Sequence, residues 1–470
     1  MTSQPFPEIR LPLAGIFAYG WLVIPVLGTG CADPDKPTAS TGAFTSAADS
    51  ATEESAGAEA GSMTSGQDTA PTGGGSANPT ASSDPTTSSN PTASDDGSTG
   101  GPVTTADTTT GEPATTTSTD DSTSGGDVTS TDDGAPAESD TGVPPTTLDP
   151  GVVSQIDGVF SQWDNPNSLG CAVAVAQDGE VAYQQGYGVA NTITKELITG
   201  RTVFYLASVS KQITGGAIAL AVIDGDVTVE DGVRTHLPSL PAATDSVRVR
   251  HLLYHTSGIA EYGPNLNAPK SNAEVLTFLM TKGLDSPAGN QFKYTNTNYV
   301  LLAEVVRAST GKSLRQFTQQ RFFMPLGMNR TQVHDETSEL PANRATGYEI
   351  SGTTDTTSYL ETFYAHGDGN IWSSAEDMAK WGANFGKNTV GGPEFIQMMS
   401  TDGGQDYAFG IVPGSHAGRP SLNHYGQALG FSAQGIYFLD GGGDAVVVLC
   451  NSGPTIAADS LAEQVVNIVF

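Results

Sequence analysis

The chain has 470 residues, with 20 Lys and Arg against 51 Asp and Glu and a formal net charge of −31. So negative a chain is repelled by polyanions, and with no basic patch in view nucleic acid is excluded as a partner. Much of the charge falls in a low-complexity stretch from Ala32 to about Pro150, where Lys36 is the only basic residue, so it says little about what the rest of the chain binds.

Taken in order, residues 1–31 read as an export signal. Leu11 to Leu27 is an apolar run after Arg10, short for a bilayer span and broken by Pro12 and Pro25. The small residues Gly28-Thr29-Gly30 before Cys31 resemble the lipobox of bacterial lipoproteins, which implies a lipidated Cys31 and a membrane anchor in the cell envelope. Gly28 stands where a lipobox usually has Leu; plain signal cleavage and an uncleaved anchor are the rival readings. Residues 32–150 are almost wholly Ser, Thr, Gly, Ala, Pro and Asp, with Phe44 the only aromatic. So little apolar surface does not offset the entropy of ordering a chain, and a disordered acidic linker is expected.

Residues 151–470 remain, enough for one large domain or two intimately packed lobes. Val152, Val153, Ile156, Val159, Phe160 and Trp163 are spaced for one buried helical face. Cys171 to Gln177 and Glu180 to Gln185 read as a hairpin about the turn Asp178-Gly179. An amphipathic helix carrying Ile213, Ala217, Leu220 and Ile223 is expected to stop near Gly225, and mixed helices and loops follow to about residue 400. Tyr407 to Val412, His424 to Ile436 and Asp444 to Leu449 read as strands, and Ala457 to Val469 as a closing helix. The fold class is α+β: an antiparallel sheet built from both chain ends, flanked by helices, with an inserted, mostly helical lobe.

Within this domain only Cys171 and Cys450 occur. Two cysteines without His/Cys clustering, and the lack of a His-Glu-x-x-His run, argue against a metal site. If the chain is exported and the first and last strands are neighbours, the pair can form a disulfide; otherwise they are two small buried hydrophobes.

Ser208-Val209-Ser210-Lys211 carries the chemistry. Residues three apart on a helix share a face, so a helix beginning at Ser208 would bring the Lys211 amine to the Ser208 hydroxyl. A serine is a poor nucleophile until a neighbouring group takes its proton, and the N–H groups of a first helical turn can serve an oxyanion. The same spacing recurs at Ser309-Thr310-Gly311-Lys312. There Gly311 is a helix breaker at the end of the helix expected over Tyr299 to Arg307, and the copy reads as helix-end punctuation.

The set Phe204 to Lys211, Val249-Arg250-His251-Leu252-Leu253-Tyr254-His255-Thr256-Ser257-Gly258, Tyr294-Thr295-Asn296, and His424-Tyr425-Gly426 before Gly430-Phe431 resembles the β-lactamase-related serine hydrolases: class C β-lactamases, DD-peptidases and similar esterases. The likeness spans 151–470. It implies a β-lactamase/transpeptidase-like fold in which Ser208 is acylated, and Lys211 and Tyr294 share the proton transfer. Asn296 would orient Lys211 and the substrate, and His424 would occupy the third motif beside Gly426. The backbone N–H groups of Ser208 and Gln427 would form the oxyanion hole.

Two departures bear on substrate. His424 replaces the usual lysine, and Tyr425 the usual Ser or Thr, so recognition of a substrate carboxylate is in doubt and an esterase, amidase or peptidase is favoured over an efficient β-lactamase. No Ser-Asp-Asn of the class A kind occurs. His255 reads as structural, and His366 and Asp368 as rim residues of the pocket. The resulting expectation is an envelope-tethered serine hydrolase acting on a small ester or amide or a peptidoglycan-like substrate, with no cofactor. The alternatives are a catalytically silent binding protein with the same fold, and a stalk protein whose tether is the functional part.

Overall fold

The computed structural model describes residues 146–263, 268–349, 354–453 and 455–470. The signal-like segment, Cys31 and nearly all of the linker lie outside them. In chain order come α1 (Pro150–Phe160), β1 (Cys171–Gln177), β2 (Glu180–Tyr187), β3 (Val203–Tyr205), α2 (Ser210–Ile223), α3 (Val233–His236), α4 (Val249–Leu253), α5 (Asn272–Leu279), α6 (Asn296–Thr310) and α7 (Leu314–Thr318). Then follow β4 (Gln332–Val333), β5 (Tyr348–Glu349), β6 (Thr354–Asp355), α8 (Thr357–Leu360), β7 (Ile371–Ser374), α9 (Ala375–Lys387) and α10 (Gly392–Ser400). The chain closes with β8 (Val412–His416), β9 (Arg419–Ala428), β10 (Phe431–Phe438), β11 (Ala445–Cys450) and α11 (Ala458–Val469).

Six strands form one antiparallel sheet in the order β2-β1-β11-β10-β9-β8, so both chain ends build it and the segment between them supplies the helical lobe, as the sequence implied. Alternation along β1 sorts its side chains: Ala172, Ala174 and Ala176 join the large core shared with α2 and α9, while Cys171, Val173 and Val175 pack with residues of α1 and α11. Cys171 is paired with Cys450 in the β1–β11 register, and the two form a disulfide. Folded contacts begin slightly before α1, with Thr147 N–H donating to the Ala182 carbonyl and Leu148 buried.

Three expected elements differ. Residues His424 to Ile436 are not one strand but parts of β9 and β10, reversed at Leu429 and Gly430, both with φ near +52° and +78°. That is the paired left-handed geometry that tight hairpins require, as at Asp178-Gly179. The strand expected over Tyr407 to Val412 begins only at Val412; Tyr407 to Ile411 is irregular and buried, its tyrosine turned into the helical lobe. The helix after Ser208 is not amphipathic. Nearly every residue of α2 is buried, because it runs through the middle of the molecule, where a helix must be apolar or paired all round.

Candidate active site

The site begins where β3 ends. Leu206 N–H donates to the Ile371 carbonyl, Ala207 takes a left-handed φ of +48°, and a single 3₁₀ turn, Ala207–Val209, carries Ser208 into α2. Ser208 thus sits one turn ahead of the α-helix rather than in its first turn. A non-glycine residue held left-handed and buried is strained, and such strain persists where the surroundings over-determine it. Opposite lies β9. A Cβ added to Gly426 would fall 2.6 Å from the Leu206 oxygen and 2.9 Å from the Ser208 nitrogen, so only glycine lets the strand approach the serine's backbone N–H this closely. Gln427, next along, is exposed, and its Nε2 donates to the Gly453 carbonyl.

Lys211 is fully buried although it is a lysine, while Ser208 is partly open to solvent. Lys211 Nζ lies 3.0 Å from Ser208 Oγ, 2.8 Å from Asn296 Oδ1 and 2.8 Å from the Asp368 carbonyl oxygen. Two of those partners can only accept. An uncharged amine has two N–H bonds for them, and its lone pair is left facing the serine hydroxyl. The ring of Tyr294 covers the same nitrogen, its centroid 5.0 Å away, with Tyr299 at 6.0 Å.

Asn296 opens α6, and its backbone N–H donates to Glu261 Oε2 at 2.6 Å, so Glu261 supplies the anionic cap that Thr295 does not. His255 takes a φ of +53° and is wholly buried. Its Nδ1 accepts from Thr295 N–H at 3.1 Å and faces Asn298 Nδ2 at 3.2 Å, and its ring lies 4.3 Å from that of Tyr294. It is more than a turn residue: it backs Tyr294. Burial, with the proximity of Lys211 and of His424 adding to it, holds His255 well below the ordinary histidine range.

His424, on β9, is also buried and also neutral. Its Nδ1 is 2.7 Å from the Tyr425 carbonyl, which only accepts, so that nitrogen carries the hydrogen; Nε2, 3.1 Å from the Tyr407 hydroxyl, accepts from it. Desolvation, then the nearby Lys211 charge, push His424 down to about 3. Both ring nitrogens are committed within the protein.

Asp368 is not on a rim. It is 6 % exposed, its backbone carbonyl on Lys211; Oδ2 accepts from the Tyr262 hydroxyl at 3.0 Å, and Oδ1 is buried without a partner. Tyr407, Tyr262 and Glu261 were not singled out in the sequence, since Tyr407 lies outside every motif and Glu261 and Tyr262 fall just past the end of the motif that closes at Gly258. Among the described residues no cluster of His, Cys, Asp and Glu could hold a metal.

Residues 159–467 match the family model described as Beta-lactamase. The chain belongs to the beta-lactamase family. Relatives of this beta-lactamase family member include a penicillin-binding protein of Bacillus subtilis strain 168, 29 % identical over 60 % of this chain and 68 % of its own. A D-aminopeptidase of Gluconobacter oxydans is 27 % identical over 57 % of this chain, which spans only 53 % of that protein's length. Among solved structures, the octameric penicillin-binding protein homologue of Pyrococcus abyssi superposes with a TM-score of 0.58 at 25 % identity, covering 67 % of this chain and 76 % of that one. The D-amino acid amidase of Ochrobactrum anthropi, at 22 % identity, shares the fold with a TM-score of 0.59 over 68 % of this chain and 98 % of its own. The two motif-bearing sides of the site, Ser208 with Lys211 and Tyr294 with Asn296, are therefore brought together on a serine-hydrolase fold.

Proposed function

We propose that this protein is an exported acyl-serine hydrolase that cleaves small amides, peptides or esters through an ester formed on Ser208. One observation carries the reading: a buried lysine nitrogen, bonded to two obligate acceptors, whose remaining partner is the partly exposed Ser208 hydroxyl. In acylation the Ser208 O–H bond breaks as Oγ bonds the substrate carbonyl carbon; the proton passes to the Lys211 lone pair, and the carbonyl oxygen becomes an oxyanion. The N–H groups of Ser208 and Gln427 face that oxyanion in this reading, beside the narrow approach at Gly426. The leaving group then departs with a proton from Lys211, Tyr294 sharing the transfer, and water repeats the sequence to release the acid.

Amide chemistry is favoured by the names of the relatives, a D-aminopeptidase and a D-amino acid amidase among them. A neutral His424 with both nitrogens engaged offers no cation to a substrate carboxylate, which weighs against β-lactams and carboxyl-terminal peptides. For export and lipidation at Cys31 the support is the signal-like segment together with the Cys171–Cys450 disulfide, since such bonds persist in oxidising compartments.

The test is labelling with a fluorophosphonate, followed by a panel of p-nitrophenyl esters, amino acid amides, D-Ala-D-Ala peptides and a chromogenic cephalosporin. Covalent label at Ser208 with turnover of esters or amides is expected. A wild-type protein that takes no label would instead be the silent binding protein.

A further inference from the structure

Acylation as described leaves one buried charge near the reacting atoms without a task. Asp368 enters the site from the segment between α8 and β7, which is fixed to α2 twice: Thr214 Oγ1 donates to the Gly367 carbonyl, and Lys211 Nζ donates to Asp368's own carbonyl, both at 2.8 Å. Its carboxylate is held by Tyr262 on one oxygen and by nothing on the other, which is buried. A buried carboxylate oxygen without a partner is costly, and folds keep such groups where they act on a neighbour.

We propose that Asp368 is a positioning residue that sets how tightly Lys211 holds its proton, its carboxylate balancing the ammonium that Lys211 becomes on taking the Ser208 hydrogen. This rests on the hydrolase reading above and goes beyond it.

The charges around the pair assign this role. Asp368 is faced by Lys211 from α2, by Glu261 and Tyr262 from the segment after α4, by Tyr205 of β3 and by Tyr359 of α8. Of these only Lys211 can become positive. Glu261 is a second carboxyl group, but its oxygens are already engaged by Asn296 N–H and Gly263 N–H. The other groups near Lys211 are the rings of Tyr294 and Tyr299 and the two histidines His255 and His424, both neutral. Burial first, with the Lys211 charge opposing, pushes Asp368 itself up to about 6, so it serves as an ionised counter-charge while Lys211 carries the proton.

Removing the negative charge must make Lys211 a weaker base that is free of its proton at lower pH. The wild-type and Asp368→Asn proteins are compared by the rate of Ser208 labelling with a fluorophosphonate and by kcat/KM for a neutral p-nitrophenyl ester, between pH 5 and 10. The expected result is a crossing pair of profiles. In Asp368→Asn the rising limb moves down by on the order of 1–2 pH units, and the plateau at high pH falls roughly three- to ten-fold. Tyr262→Phe leaves the charge in place and removes only the hydrogen bond that dilutes it at Oδ2, so its limb moves the opposite way, up, by less than about one unit, and it carries the test should Asp368→Asn not fold. A limb that stays in place in the folded variants, whatever the plateau, overturns the proposal. Absence of label on wild-type Ser208 would instead overturn the hydrolase reading itself, so the two failures are told apart.

Discussion

Two tetrapeptides of this chain have the same spacing, and the fold treats them oppositely. Ser208 and Lys211 meet at 3.0 Å, with the lysine wholly buried. Ser309 and Lys312 straddle the end of α6, where Gly311 turns left-handed at a φ of +71°; Ser309 Oγ reaches back to the Val306 carbonyl and Lys312 lies exposed. The spacing is thus only permission. A site follows when the lysine is drawn out of water by obligate acceptors from elsewhere, here Asn296 and Asp368.

The comparison can be broken most sharply at the serines. Ser208→Ala should lower ester kcat/KM by ~10⁴-fold or more with the unfolding midpoint nearly unchanged, whereas Ser309→Ala should leave both within error. Turnover near the parent rate in Ser208→Ala would remove the assignment. Next come the lysines: Lys211→Ala should cost ~10³-fold in the same assay and Lys312→Ala less than about two-fold. Equal losses would mean that burial is not what separates the copies.

A smaller effect sharpens the structural half. The disulfide joins β1 to β11, the strands that bring the two chain ends together, across a separation of 279 residues. Replacing both cysteines with serine should destabilise the domain by ~2–4 kcal/mol in urea titrations while Ser208 still labels in the folded fraction. No change in midpoint would show the bond to be absent from the native protein.

The least obvious outcome concerns stability against pH. Because the folded state raises the Asp368 carboxyl to about 6, it binds that proton more tightly than the unfolded chain does. The stability this proton confers is full below the unfolded value, near 4, and is lost as pH rises through 6. Asp368→Asn should therefore be more stable than wild type at pH 8, by on the order of 2 kcal/mol, and the gain should vanish near pH 4. A variant less stable than wild type at pH 8 would show that the carboxylate serves the fold.

Much of the site was legible in advance, for physical reasons that differ by residue. Ser208 and Lys211 pair by their helical spacing at a strand end, while Tyr294 and Asn296 were implied by the family resemblance and not by spacing. Tyr407 and Glu261 could not be found this way, since a buried phenol on His424 and a carboxylate on the first N–H of α6 are contacts between segments far apart in sequence. His255 was read as a structural turn residue and is one, buried against Tyr294, whereas Asp368, placed on the rim by the resemblance, is buried with its carbonyl on Lys211.

By itself the sequence determined the composition boundary near residue 150, the hairpin at Asp178-Gly179 and the serine–lysine spacing, because turn chemistry and helical spacing are local properties of a chain, whereas the pairing of β1 with β11 joins its distant ends. The tertiary structure alone decided which groups around Lys211 are charged. Ionisation depends on burial and on neighbours brought from other segments, and packing here left two imidazoles near the lysine neutral and raised the carboxyl of a buried aspartate.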